Sequence, residues 1–336
     1  MLSRVADSIY WMSRNVERAD NVARFIDVNL NLLLDLPEGY TQQWDPLVIT
    51  TGDQELFEKR FGKPDQEKVI WFLTFDQENP NSILSCLHSA RENARSVREI
   101  ISTTMWEELN TFYLKVKAAA GTFDGSDRAY QFYPEVKRGS HLFQGATDST
   151  LTRNEAWHFL EMGRMIERAD KTSRILDVKY YFLLRSVNEV GSPFDELQWA
   201  AVLRSASAFE MYRKRHGRLA PAGITNFLLL DDQFPRAVRC CLDRARNSLH
   251  AITGTPLGSF QNNPERLFGQ LCSDLAFTNV DEINAQGLHE YLDVLQEKMN
   301  LVGSGIYETF FTRKTPTTTR HRVRGGKEWQ MQSASS

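Results

Sequence analysis

Six charged residues, Arg14, Glu17, Arg18, Asp20, Arg24 and Asp27, return in the same order 150 positions later as Arg164, Glu167, Arg168, Asp170, Arg174 and Asp177. Ala19 and Val28 return with them as Ala169 and Val178, without a gap. Core periodicity dictates apolar positions and leaves solvent-facing charges free to vary, so a shared helical pattern does not by itself make charges coincide. A set of this composition suits three kinds of chemistry. These are ion pairing within or between helices, coordination of a metal, and capture of an anion by arginines that carboxylates orient.

Glu17, Asp20, Arg24 and Asp27 are spaced 3-4-3, which lines them along one helix face with Arg14 and Arg18 at its flank. Glu167, Asp170, Arg174 and Asp177 repeat the stripe, flanked by Arg164 and Arg168. As an exposed ladder, each intrahelical pair contributes roughly 0.2–0.5 kcal/mol. If the stripes serve a partner or ligand, exchanging Asp20 and Arg24 in place is expected to keep the intrahelical pairing and the fold while abolishing complex formation or the activity that depends on it. Buried between helices, the same groups matter far more, because loss of one partner strands the other at a cost of roughly 3–5 kcal/mol. The buried version is the leading structural reading. The third possibility is a polar cleft in which Arg14, Arg18, Arg164 and Arg168 bind an anionic group bidentately.

Metal and nucleophile chemistry find little support. A di-iron helix pair calls for Glu-x-x-His on two helices. Only Glu155-x-x-His158 fits, and its counterpart 150 residues earlier is Val5-x-x-Ser8, so no metal site is expected. Gly-x-Ser-x-Gly elbows and glycine-rich nucleotide loops are absent, and no cofactor is implied.

The stripes need helices to carry them. Val5, Ile9, Met12, Val16, Ala19, Ala23, Ile26 and Leu30 recur at alternating spacings of four and three, answered by Phe159, Met162, Ile166, Ala169, Ser173, Leu176 and Tyr180. Trp11, Val22 and Phe25 make the first helix apolar on more than one side, which places it centrally. Thr152 with Glu155 has the form of a capping box, and Asn79-Pro80 that of a cap followed by proline. Gly62 and Gly217 sit where helices end. Helical spacing also covers 45–61, 80–101, 103–119, 196–216, 235–252 and 280–311, and no period-two alternation is sustained. The fold class is all-α.

At an offset of 155 the repeat continues: Trp44, Glu55, Phe57, Lys59, Arg60 and Gly62 fall on Trp199, Glu210, Tyr212, Lys214, Arg215 and Gly217. Phe72-Leu73, Asp76 and Pro80 likewise match Phe227-Leu228, Asp231 and Pro235, and Cys86-Leu87 matches Cys241-Leu242. Two tandem, internally duplicated half-domains are therefore expected to form one large bundle, spanning 1–149 and 150–312. The glycines and Pro134 of 121–149 read as a turn-rich connection, and 313–336 as a basic, disordered tail.

Composition narrows the setting. Six of the 40 basic residues and one of the 43 acidic ones lie in the last 24 positions, which leaves a body with 34 basic against 42 acidic residues. An acidic body offers no phosphate-binding footprint, so no nucleic acid is expected on the folded part. No window is long and apolar enough to span a membrane, the first residues show no secretory signal, and four cysteines lack metal or redox spacing. Together these indicate a cytoplasmic protein with reduced thiols.

These residues also resemble a known family, the bacterial Alpha-E domain, over about residues 1–312. The likeness rests on Met1-Leu-Ser-Arg-Val-Ala6, Glu17-Arg18-Ala19-Asp20, Ala90-Arg91-Glu92-Asn93-Ala94-Arg95, Met105-Trp106-Glu107, Gly145-x-Thr147-Asp148, Glu167-Arg168-Ala169-Asp170 and Phe227-Leu-Leu-Leu-Asp231-x-x-Phe234-Pro235-Arg236. Within them Arg91, Glu92, Arg95, Trp106 and Asp148 are secondary candidates for a polar site. The resemblance implies an all-helical protein whose relatives are encoded beside, or fused to, a circularly permuted ATP-grasp protein, often near a transglutaminase-like peptidase. ATP-grasp enzymes join a carboxylate to an amine through an acyl-phosphate. The expectation is an accessory partner of such a ligase in an amide- or peptide-bond-forming system. The rival is an enzyme in its own right, acting on an amide or peptide with Glu17 or Glu167 as proton-transfer group in a charged cleft.

Overall fold

A computed structural model describes residues 1–34, 44–123, 126–183 and 193–312, with the side chains of 33–34, 126–127 and 178–183 left aside. The side chains of Val178 and Tyr180 of the repeat, residues 124–125 of the expected connection and the basic tail thus lie outside what is described. Helix α1, Ser3–Leu34, runs 32 residues without glycine or proline. Its stripe from Ile9 to Leu30 is buried, and so are Val22 and Phe25 on its other sides. Each large apolar side chain among them contributes roughly 1.5–3 kcal/mol on leaving water, so a long helix with apolar residues on several sides takes an enclosed place.

Two rings of four helices form around two such axes. In the first, α1 packs on α5 (Ile83–Ser96), α5 on α6 (Thr103–Ala120), α6 on α7 (Ser126–Thr150), and α7 back on α1. In the second, α8 (Glu155–Leu183), α12 (Val238–Thr253), α13 (Asn263–Phe277) and α15 (Leu288–Ile306) close in the same order. The rings meet where α1 lies along α8. Short helices cross between them, with α2 (Asp45–Thr51) against α8 and α9 (Pro193–Ser205) against α1. The remaining short helices are α3 (Gln54–Phe61), α4 (Gln66–Thr74), α10 (Phe209–His216), α11 (Pro221–Leu229) and α14 (Val280–Gln286), and a π turn, Tyr307–Phe311, follows α15. Among the described residues there is no strand.

Contacts recur at the offset of 155. Arg60 pairs with Asp76 and Arg215 with Asp231. The Cys86 thiol donates to the Pro80 carbonyl at 3.6 Å and Cys241 to that of Pro235 at 3.4 Å. All four cysteines are free and buried. Gly62 and Gly217 end α3 and α10 with φ of 70° and 73°.

Several local readings need correction. Residues 126–150 are a helix rather than a connection: Gly139 is there for packing, since a Cβ would meet the Phe112 ring at 2.6 Å. Pro134 sits inside that helix. Asn154, not Thr152, caps α8, its Oδ1 accepting from the Ala156 amide at 3.0 Å. Ser82 caps α5, while Asn79 instead braces the preceding turn by donating to the Phe72 carbonyl. The spans 45–61 and 196–216 each break in two, at Gly52 (φ 81°) and at its counterpart Ser207 (φ 51°), a left-handed kink that periodicity does not reveal.

Candidate functional site

Helices α1 and α8 run side by side in the same direction, because their contacts climb together from Tyr10 opposite Gly163 to Glu17 opposite Arg168. The approach is close enough that a Cβ on Gly163 would lie 2.5 Å from the Tyr10 carbonyl oxygen. Ser13 strengthens it by donating to the Leu160 carbonyl at 2.7 Å. This closeness lets the side chains one and two turns further on reach across.

They reach across reciprocally. Arg168 grips Glu17 with Nε at 2.9 Å and Nη2 at 2.8 Å, and Arg18 grips Glu167 with Nε at 2.6 Å and Nη2 at 3.0 Å. Both carboxylates are fully buried. The doubled Glu-Arg pair is thus a two-way clasp between the two rings of helices, with like contacts made in both directions as in an isologous contact. Burial pushes the Glu17 carboxyl up, but Arg168 and Arg236 outweigh it and hold the group well below the usual carboxylate range. Glu167 is likewise pushed up by burial and held far down by Arg18, Arg14 and Lys171.

The two ends of the clasp differ in a compensated way. Around Glu17, the Arg236 guanidinium donates to Glu17 at 3.1 Å, to Asn21 at 3.1 Å and to Asp20 at 2.7 Å. At the matching positions the other end has Asn81 in place of Arg236 and Lys171 in place of Asn21. There the Lys171 ammonium lies 3.8 Å from Glu167 and 3.2 Å from Asp170, and Asn81 accepts from Arg18 at 2.6 Å. The third cation has moved from one helix to another, and each Glu–Asp pair still has one.

That exchange decides which end is open. On the Glu17 end, α7 supplies Gln144, which donates to Glu17 at 3.3 Å. On the Glu167 end, α15 supplies Gly303, beyond whose missing side chain there is empty space. A cleft of about 690 Å³ results, with Arg14, Arg18, Asp170, Lys171 and Arg174 in its wall beside Trp11 and Tyr307.

Of the expected anion-binding arginines, only Arg14 and Arg18 line this cleft. Arg14 donates to Glu167 at 2.9 Å and stacks over Trp11 at 4.9 Å. Arg168 is committed to Glu17, and Arg164 turns to Glu161, which also accepts from Arg244 at 2.6 Å. The rest of the stripe is largely buried and does not form a solvated ladder. Arg24 donates to Asp20 at 2.8 Å and to Ser207, and Arg174 to Asp170 at 3.0 Å. Burial raises the Asp170 carboxyl, yet Lys171 and Arg174 bring it below its ordinary value. Asp27 holds Lys137 of α7 at 2.6 Å, and Asp177 holds His289 of α15 at 2.7 Å. An in-place exchange of Asp20 and Arg24 would set a guanidinium against Arg236, so it is expected to disrupt the fold, contrary to the expectation that the exchange leaves folding intact.

The secondary candidates lie apart from the clasp. Arg91 bonds Asn110 and Glu92 and faces the Trp106 ring at 5.5 Å, Arg95 reaches Glu92 at 3.5 Å, and Asp148 is exposed near the end of α7. Among the described residues Glu155 and His158 belong to no cluster of potential ligands. Among the described residues one group, Asp177, His289 and Asp293, brings three potential ligand atoms within 4.8 Å of one another. Both nitrogens of the His289 ring already face those carboxylates, at 2.7 and 3.5 Å. Sequence reasoning missed Arg236, Lys171, Asn21, Asn81 and Gln144 as clasp members. Arg236 and Asn81 were findable as a matched pair at the offset of 155, but unlike types give no identity to notice.

An all-α chain that carries the dipeptides Glu17-Arg18 and Glu167-Arg168 fits the description of one family, "a predicted alpha-helical domain with a conserved ER motif". Residues 1–311 match that family, Alpha-E, and the chain belongs to it. Uncharacterised proteins of Mycobacterium bovis and Mycobacterium tuberculosis are 23% identical over 317 residues, covering 86% of this chain and 34% of theirs. The chain therefore spans about a third of the length of these curated relatives. No solved structure matches. Among the described residues no helix is long and apolar enough to cross a membrane.

Proposed function

We propose that the chain is a helical accessory protein, without chemistry of its own, that associates with a circularly permuted ATP-grasp ligase in a peptide- or amide-bond-forming system. A transglutaminase-like peptidase is the second candidate partner, and the cytoplasm the setting. The observation that carries the non-catalytic part is the saturation of both glutamates: each accepts from several donors, is fully buried and is held ionised. A general base works best with a pKa near the operating pH, and a carboxylate held this far down is a poor one. The family resemblance carries the partnership, supported by relatives in which the matching segment is one part of a much longer chain.

The experiment is ATP-dependent ligation by the cognate ATP-grasp protein with and without this chain, together with co-elution of the two on size exclusion. Stimulation with co-elution is expected. Equal rates and separate elution overturn the partnership, and amide hydrolysis by the isolated chain that disappears in Glu17→Gln overturns the non-catalytic reading.

A further inference from the structure

The cleft between α1, α8 and α15 is better equipped than a clasp requires. Its wall holds four cations, Arg14, Arg18, Lys171 and Arg174, whereas the carboxylates they serve are the two of Glu167 and Asp170. Exposed Glu308 stands at the rim, and Asp53 lies behind the wall, accepting from the Asn81 amide at 2.7 Å, so the cations are balanced and what the wall offers is donors. Donors are in surplus. A guanidinium carries five N–H groups. Among the described residues Arg18 spends three, on Glu167 and Asn81, and Arg174 spends its Nε on Asp170.

The first stripe has a smaller cavity of about 450 Å³ further along, at Arg24, Asp27 and Lys137, but not beside its glutamate. The corresponding place beside Glu17 is filled by Arg236 and Gln144, while here Asn81, Lys171 and Gly303 leave about 690 Å³. That volume falls within the range of small-molecule sites. The far wall ends in the π turn Tyr307–Phe311, a rare element often found at functional sites. Phe311 anchors that turn on Tyr10, ring centres 5.2 Å apart, and Tyr307 remains half exposed at the cleft.

We propose that this cleft binds a small organic monocarboxylate, of amino-acid to dipeptide size, whose carboxylate takes spare N–H groups of the Arg14, Arg18 and Arg174 row while an apolar or aromatic group rests against Trp11 and Tyr307. The spare guanidinium N–H groups suit one carboxylate, and the aromatic rings beside the cations favour a ligand with both characters. The inference stands independently of any ligase partner, because it concerns the isolated chain.

The test is isothermal titration of the full chain at low ionic strength with N-acetyl-L-phenylalanine, its neutral amide and inorganic phosphate. Saturable one-to-one binding of the acid is expected, at least tenfold tighter than the amide and not displaced by equimolar phosphate. Gly303→Leu, which places a side chain in the empty space without meeting any atom at its Cβ, should abolish binding while leaving the melting temperature equal or higher. Arg174→Gln should weaken it at least tenfold. No saturable binding by the parent chain, equal affinity for acid and amide, displacement by equimolar phosphate, or undiminished binding in a folded Gly303→Leu protein would each overturn the assignment.

Discussion

Arg168 and Arg18 make matching contacts in unlike surroundings, and their removal should separate them. Arg168→Ala leaves Glu17 short of its bidentate partner in a closed pocket and should cost roughly 3–5 kcal/mol, the range for breaking a buried pair. Arg18→Ala opens onto the cleft, where water enters and Arg14 and Lys171 remain beside Glu167; a smaller loss is expected. Urea midpoints with unchanged slopes measure both, and equal losses would contradict the open-and-closed distinction. The displaced cation gives a sharper check. Arg236→Asn should be strongly destabilising, and adding Asn21→Lys, which copies the arrangement of Asn81 and Lys171, should recover much of the loss. A double-mutant cycle with no coupling between positions 21 and 236 would show that the two ends are not interchangeable. The sequence displayed the glutamates and arginines as identities, but this exchange appears there as two unrelated differences. Only the shared position of the two cations beside a Glu–Asp pair reveals it.

At the scale of elements, legibility follows length and periodicity. The long stripe of α1 announced a central helix, and the second stripe placed α8 beside the same charges. Helix α7 is hidden in the sequence because Pro134, Gly139 and Gly145 carry turn chemistry in isolation, whereas here Gly139 makes room for Phe112 and the surrounding packing overrides propensity. Glycine positions therefore separate by what faces them. Gly163→Ala must push α1 away, since its Cβ meets backbone at 2.5 Å, and should cost about 1–3 kcal/mol as overpacking does. Gly303→Ala meets nothing and should be neutral or stabilising by up to about 1 kcal/mol through helix propensity. Thermal melts of the two variants settle the contrast, and a tolerated Gly163→Ala would mean that α1 and α8 are less tightly apposed than described.

For the whole molecule, the same buried charges set how stability responds to acid. Glu17, Glu167 and Asp170 are ionised more readily in the folded chain than in the unfolded one. Their contribution is thus complete above the unfolded carboxyl values, about 3.9 for Asp and 4.3 for Glu, and is lost as pH falls towards their lower folded values. The histidines act earlier and more weakly. Burial lowers His141 and His158, so the unfolded chain takes up their protons first and stability declines gently below about pH 6.5. His289 opposes them: burial lowers it, but Asp177 raises it further, so its contribution is present below that pH and lost as pH rises through its folded value. The net expectation is a shallow decline from pH 7 to 5 and a steep one below about 4.5. Glu17→Gln should lower the melting temperature at pH 7, because Arg168 and Arg236 lose their carboxylate, and should flatten the acid limb, because that proton no longer binds on unfolding. Melting temperatures of parent and variant from pH 7 to 2.5 test this. An unchanged acid limb in Glu17→Gln would show that the clasp carboxylate does not drive the acid response, and with it would fall the view that this doubled ion pair is what joins the two rings of helices.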